Sequence, residues 1–264
     1  TTNSTVNALN NVIANANGDI NTNGDVTAQT GKAKLKSSEG SVTTKNVKAN
    51  NEVDIDAANN ITANGSLTSD TANVDLLAGG KITTNGTVNA HDDVIANANV
   101  DINTNGDVTA TNGKAVLNSS TGSVTTKNVT AGQAVDIDAE QDITAGGNLI
   151  SKNGDITLNA HSGSITTQGT VNALNNVIAN ANGNINTNGD VTATNGNTVL
   201  NSSAGSVTTK NVTAGQTVDI DAEQDITADG NLTSNNADIT LYAGGKITTN
   251  STVNALNNVI ANAN

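Results

Sequence analysis

The 264 residues include 25 Gly and one Tyr but no Phe, Trp, Cys, Met or Pro, so the chain cannot build the aromatic-rich core of an ordinary globular domain. Without Cys it has no disulfide, thiol nucleophile or thiolate metal site. A net charge of −13, with 11 basic residues that are all Lys, excludes the clustered basic footprint of a nucleic-acid-binding surface, and no apolar run approaches the roughly 18 residues of a membrane span.

The first segments in chain order are Val6-Asn7-Ala8, Val12-Ile13-Ala14-Asn15-Ala16 and Ile20-Asn21-Thr22. Each alternates apolar and other residues, the mark of a short half-buried strand. Turn-forming clusters such as Asn23-Gly24-Asp25, Gly79-Gly80 and Asn105-Gly106 separate the segments. Gly and Asn accept left-handed backbone, so turns of that kind are expected there. The pattern restarts at Val26, Val47, Leu67 and Val88 and continues at a near-constant short interval, the signature of a solenoid repeat. This gives 12 complete short units and part of a thirteenth. No stretch holds a 3.6-residue period, and Asn, Thr, Gly and Val are poor helix formers.

A longer period overlies the short one. TVNALNNVIANANG begins at Thr5, and close relatives begin at Thr87, Thr170 and Thr252, a spacing of about 82–83 residues that marks a second level of internal repetition. Four short units therefore make one long unit. The segment Thr1–Asn17 recurs unchanged from Thr248 to Asn264, so the chain reads as a window of a longer array.

Three short strands and three turns in about 20 residues make one rung of a β-solenoid, whose rungs pair in parallel about 4.8 Å apart. The expected architecture is all-β: one continuous solenoid over 1–264, with roughly 12–13 rungs and a length near ~58 Å for twelve of them. Stacking sets equivalent residues in columns. Two columns, one through Val12, Ala33 and Val53 and one through Ile20, Val42 and Ile61, are almost wholly apolar and are predicted to face inward, where each buried Val or Ile contributes roughly 1.5–3 kcal/mol. An outward column runs Asn15, Lys36, Asp56, Leu77, Asn97. A turn column is read as Asn23, Asn46, Asn64, Asn85, Asn105 and Asn128, with side chains suited to bonding along a ladder.

A second outward column contains Ile13, Ile95, Val116, Ile178, Val199 and Ile260. Ile95 beside Val116, and Ile178 beside Val199, are expected as exposed β-branched pairs recurring every four rungs, roughly 19 Å apart. They mark a lateral-contact stripe. The rest of the outer surface offers little chemistry. His91 and His161 lie at non-equivalent rung positions. Asp54/Asp56, Asp136/Asp138 and Asp219/Asp221 recur once per long unit and read as a solvated acidic face that keeps the array soluble. The glycine-rich Ca²⁺ nonapeptide is missing. The Ile-Thr-Thr and Val-Thr-Thr segments turn only one Thr per strand outward, too few for a flat ice-binding array. Asn-x-Ser/Thr triplets, among them those at Asn64, Asn85, Asn128 and Asn211, fall at turns.

The short units, with runs such as VTTKNVTAGQTVDIDAEQDITADGNLTS, resemble the haemagglutinin repeats of filamentous-haemagglutinin-like exoproteins. The resemblance covers the whole chain. It implies a right-handed parallel β-helix, export by two-partner secretion with an outer-membrane secretion partner, and an extracellular or outer-membrane-surface location in a Gram-negative bacterium. The expected function is the structural shaft of a secreted surface adhesin or fibre, with roles in adhesion or biofilm. The alternatives are a carbohydrate-binding repeat module and the stalk of a contact-dependent toxin-delivery protein. Expected partners are further copies, in fibres, and a host or cell-surface glycan or protein. No catalytic residue, metal or cofactor is expected, because rungs of near-constant length leave no insertion to form a cleft.

Overall fold

A computed structural model describes residues 1–264. The chain is all β, a parallel β-solenoid in which every turn contributes a three-residue strand, a five-residue strand and a further short strand. The first turn is Val6–Ala8, Val12–Ala16 and Ile20–Asn21, and the second Val26–Ala28, Ala33–Ser37 and Val42–Thr44. The predicted unit starts coincide with strand starts throughout. Two compact units divide the chain, Thr1–Gly132 and Gln133–Asn264. Three parallel sheets form within each, where the strands pair with their equivalents in the adjacent turns. The strand-forming peptide groups are thus satisfied between turns rather than within them.

Alternation decides which side chains enter the interior. In Val53–Ala57 the side chains of Val53, Ile55 and Ala57 are buried while Asp54 and Asp56 face out. Val135–Ala139 follows the same rule in the second unit. Both predicted inward columns are buried, from Val12 and Ile20 onward. The largest enclosed side chains are Ile and Leu, among them Leu35, Ile82, Leu117 and Leu158. Ala, Ser and Thr fill the narrower corners, which is why aromatics are missing from the core.

Buried hydroxyls obey the four-turn period. Ser37, Ser119 and Ser202 replace Ala at the end of the second strand. Ser37 donates to the Gly18 carbonyl at 2.8 Å and accepts the Gly40 N–H at 3.0 Å. Ser202 repeats the pair with Gly183 and Gly205. On the third sheet Thr22 donates to Thr44 and Thr104 to Thr126, each at 2.7 Å. Thr84 and Thr167 stand above Ala63 and Ala145 instead, and their Oγ1 atoms have no partner, although Thr104 and Thr187 lie on the other side.

The turns differ from expectation in two ways. No residue, glycine included, has a positive φ. Glycine is required for clearance instead. A Cβ on Gly106 would lie 2.2 Å from the Gly86 carbonyl oxygen, and one on Gly189 would lie 2.2 Å from that of Gly169. Turns of successive rungs stack so closely that only hydrogen fits. The second difference concerns the turn column. Asn46 and Asn128 leave the column of Asn23, Asn64, Asn85 and Asn105, because the corners Lys45-Asn46 and Lys127-Asn128 are one residue shorter than Asn64-Gly65-Ser66. Asn46 stacks on Asp25, and Asn128 on Asp107. The Asn–Asn ladder survives only in runs, as from Asn85 to Asn64 at 3.2 Å and from Asn105 to Asn85 at 2.9 Å.

A different use of Asn, Asp and Ser extends through all the corners. Where the residue before a strand is Asn, Asp or Ser, its side-chain oxygen often accepts from the backbone N–H of the equivalent residue one turn later. Before the first strand, Asn46 accepts from Ser66 and Asn211 from Asn231, both at 2.8 Å. Before the second, Asp93 accepts from Lys114 at 2.7 Å and Asn176 from Asn197 at 2.8 Å. Before the third, Asp19 accepts from Ser41 at 2.8 Å and Asp142 from Ser164 at 2.8 Å. These corner N–H groups lie outside the sheet ladders, and short side chains that bond nearby backbone are the natural acceptors for them. Each such bond is worth about 0.5–1.5 kcal/mol net. Asn211 also donates to Asp190 at 2.9 Å, so its triplet sits on an amide already engaged through both polar atoms.

Candidate interaction face

The second strand of each turn is five residues long, so its outer face carries two side chains per turn where the other strands carry one. The stripe predicted from the sequence occupies the first of these positions. Register pairs Ile95 with Val116 in the first unit and Ile178 with Val199 in the second. The pairs face outward but are half-buried rather than exposed, since side chains stacked one turn apart cover each other's flanks. Ile13 and Ile260 are 55% and 39% exposed because each stacks on one neighbour only, Lys34 and Thr240. Each unit thus presents one β-branched pair on a largely polar sheet.

Charges flank the pairs. In the first unit Lys34 bonds to Asp54, and Lys36 bonds to Asp56 at 2.6 Å, each across one turn. The bond to Asp54 raises the Lys34 pKa. Asp75 stacks between Asp54 and Ile95. Burial pushes its carboxyl up to about 6, helped by the negative charge and hydrogen bond of Glu52 and by the charges of Asp54 and Asp93. Asp219 in the second unit is raised for similar reasons, burial first and then Asp221. Asp101 goes the other way: a hydrogen bond from Lys81 and the Ser123 N–H hold its carboxyl below the usual range.

Asp75 makes stability depend on pH. Its folded pKa lies above its unfolded one, so between about 4 and 6 the folded state binds more protons. The stabilising contribution is complete below the unfolded value and is lost as pH rises through about 6. Asp75→Asn removes a carboxylate that is strained only when ionised. Solvent screens this half-exposed group, so the expected gain at pH 8 is about 1 kcal/mol, or roughly 2–4 °C in the thermal midpoint. At pH 4 the gain vanishes. Equal gains at both values, followed by circular dichroism, would refute the account.

The remaining predicted positions fall where the columns place them. His91 and His161 sit at different corners, after the first and second strand respectively, and both are exposed. His91 Nε2 lies 3.0 Å from the Asn112 amide, and His161 Nε2 lies 2.9 Å from Asp138 Oδ1. No group of three or more His, Asp or Glu side chains converges on one point. Thr83 faces out and Thr84 in, so one Thr per strand reaches solvent. No helix is long and apolar enough to cross a membrane. Compared with known proteins, the chain matches no protein-family profile, no characterised protein and no solved structure.

Proposed function

We propose that the chain is a structural shaft: a segment of a secreted bacterial surface adhesin or extracellular fibre whose task is to hold other modules at a distance and to associate side by side. The observation that carries this reading is uniformity. The turns repeat the same three strands, and most features that vary do so with the long repeat. A surface built this way suits length and repetition more than a single reaction centre. Export and a location outside the outer membrane follow from the resemblance of the repeats to filamentous-haemagglutinin-like proteins. Intact cells of the source organism, treated with protease and probed with antibody against this chain, are expected to lose the signal. A signal protected until the cells are lysed would overturn the reading.

The partner for side-by-side contact is a second copy of the same array. An apolar pair recurring once per long repeat is matched in spacing by another array with that period. Replacing Ile95, Val116, Ile178 and Val199 by Thr keeps β-propensity while removing apolar area. The expected result is association weakened by roughly tenfold or more in sedimentation velocity, with an unchanged far-UV spectrum. Unchanged lateral association would remove the stripe from the proposal.

A further inference from the structure

Two corners of the protein share their local chain chemistry and differ in what lies one turn earlier. After the strand Val108–Ala110 comes Thr111-Asn112-Gly113, and after Val191–Ala193 comes Thr194-Asn195-Gly196. At each, the Asn N–H donates at 2.9 Å to a carbonyl of the preceding turn, that of His91 in one case and of Leu174 in the other. The residue after Gly donates its N–H to a side-chain oxygen, Lys114 to Asp93 at 2.7 Å and Asn197 to Asn176 at 2.8 Å. The N–H groups of Gly113 and Gly196 make no hydrogen bond, and both Asn residues are exposed. The difference is His91. Its Nε2 lies 3.0 Å from Asn112 Nδ2. Leu174 has no polar side-chain atom to offer, and the Asn195 side chain makes no hydrogen bond.

We propose that Asn112 is a site of self-modification, its side-chain amide being converted to a carboxylate through a cyclic imide with His91 carrying the proton. The proposal does not depend on the shaft reading. Asn followed by Gly suits the reaction, because a residue without Cβ leaves its peptide nitrogen open to the preceding side chain. The Gly113 nitrogen attacks Asn112 Cγ. Its proton passes to His91 Nε2, the acceptor of the neutral imidazole protonated at Nδ1, and from there to Nδ2, which the ring already touches. The Cγ–Nδ2 bond breaks, ammonia leaves and the imide closes. Water then opens either imide carbonyl, giving aspartate or isoaspartate, and nothing is oxidised or reduced. One imidazole that serves the nucleophile and then the leaving group acts as general base and general acid in turn. Asn153-Gly154 and Asn182-Gly183 carry the same dipeptide with the attacking N–H engaged, Gly154 by Ser151 Oγ at 3.1 Å and Gly183 by the Gly163 carbonyl at 2.7 Å, which slows them. The product adds a negative charge at a corner that already holds Asp92 and Asp93. Isoaspartate also lengthens the main chain where Asn112 and Lys114 bond to the preceding turn. An aged array thus carries a mark at this corner that a new one lacks.

The test is incubation of the full chain at neutral pH and body temperature for several weeks. Conversion at each Asn is followed by peptide mapping with electron-transfer fragmentation, which separates aspartate from isoaspartate. Position 112 is expected to convert about tenfold faster than position 195 or more, and positions 153 and 182 more slowly than either. His91→Leu, which copies Leu174, is expected to bring position 112 down to the rate of position 195. Leu174→His is expected to raise the rate at position 195 several-fold, and both variants keep the circular dichroism of the parent. In urea, where the stacking is gone, positions 112 and 195 are expected to convert at similar rates, since both read Thr-Asn-Gly. The proposal fails if the two positions convert equally in the folded chain, if neither converts, if His91→Leu leaves the rate at position 112 unchanged, or if the difference persists in urea.

Discussion

Leu76→Ala is expected to lower stability by about 2–5 kcal/mol, while Leu77→Ala, one residue further on, changes it by no more than about 0.5 kcal/mol. The two leucines share the strand Val74–Ala78, and the pleat sends them to opposite faces. Leu76 is 2% exposed and Leu77 54%. Leu76 stacks between Ile55 and Ala96 in the interior. A small neighbour on one side already limits how far the site can collapse around a truncated residue, which places the cost toward the upper end of the range. Leu77 stacks between Asp56 and Asn97 in solvent. Urea midpoints followed by far-UV circular dichroism separate the two variants. Equal losses would mean that the outer face is covered by something else, or that the alternation has been assigned to the wrong side.

Glycine gives the second large effect. Gly106→Ala is expected to cost about 3 kcal/mol, because the new Cβ would stand 2.2 Å from the carbonyl oxygen and 2.4 Å from the carbonyl carbon of Gly86. Both are backbone atoms, and no side-chain rotation relieves the overlap. Gly189→Ala repeats the experiment in the other unit, with the Gly169 carbonyl oxygen at 2.2 Å. Gly18→Ala is the control, since nothing lies within 4 Å of its added Cβ, and it is expected to be neutral or slightly stabilising. Asn at position 106 distinguishes the causes. A glycine kept for left-handed backbone is replaced most gently by Asn, whereas a glycine kept for clearance tolerates Asn no better than Ala. Thermal midpoints of these variants decide the matter, and a well-tolerated Asn would refute the clearance account.

The strands and the interior were legible because one physical rule, period-2 alternation, repeats dozens of times and each instance corroborates the next. Val53-Asp54-Ile55-Asp56-Ala57 can face only one way if Asp is to stay in water. The corners were less legible. Asn46 and Asn23 look equivalent in sequence, and only the pairing of Val26 with Val47 shows that the shorter corner moves Asn46 onto Asp25. Gly106 invites a reading in terms of dihedral angles, because crowding by the neighbouring turn is invisible in a linear sequence. The stripe through Ile95 and Val116 was placed in the correct register, but the mutual shielding of stacked side chains was not foreseen. The outward column of Asn97, Asn159 and Asn180 was legible as well, since each precedes the buried end of its second strand.

The buried hydroxyls also bear on how such an array changes length. Sliding one copy of the pattern past another by a single turn would part Thr22 from Thr44, leaving hydroxyls without partners in a dry interior. Sliding it by one whole long repeat brings the same or a similar residue onto most corners and enclosed positions, with exceptions such as Thr198 at the place of Ala115. Gain or loss of a whole four-turn block therefore disturbs few contacts, whereas gain or loss of one turn disturbs more. Selection can tune the extent of the array in coarse, uniform increments with few contacts redesigned.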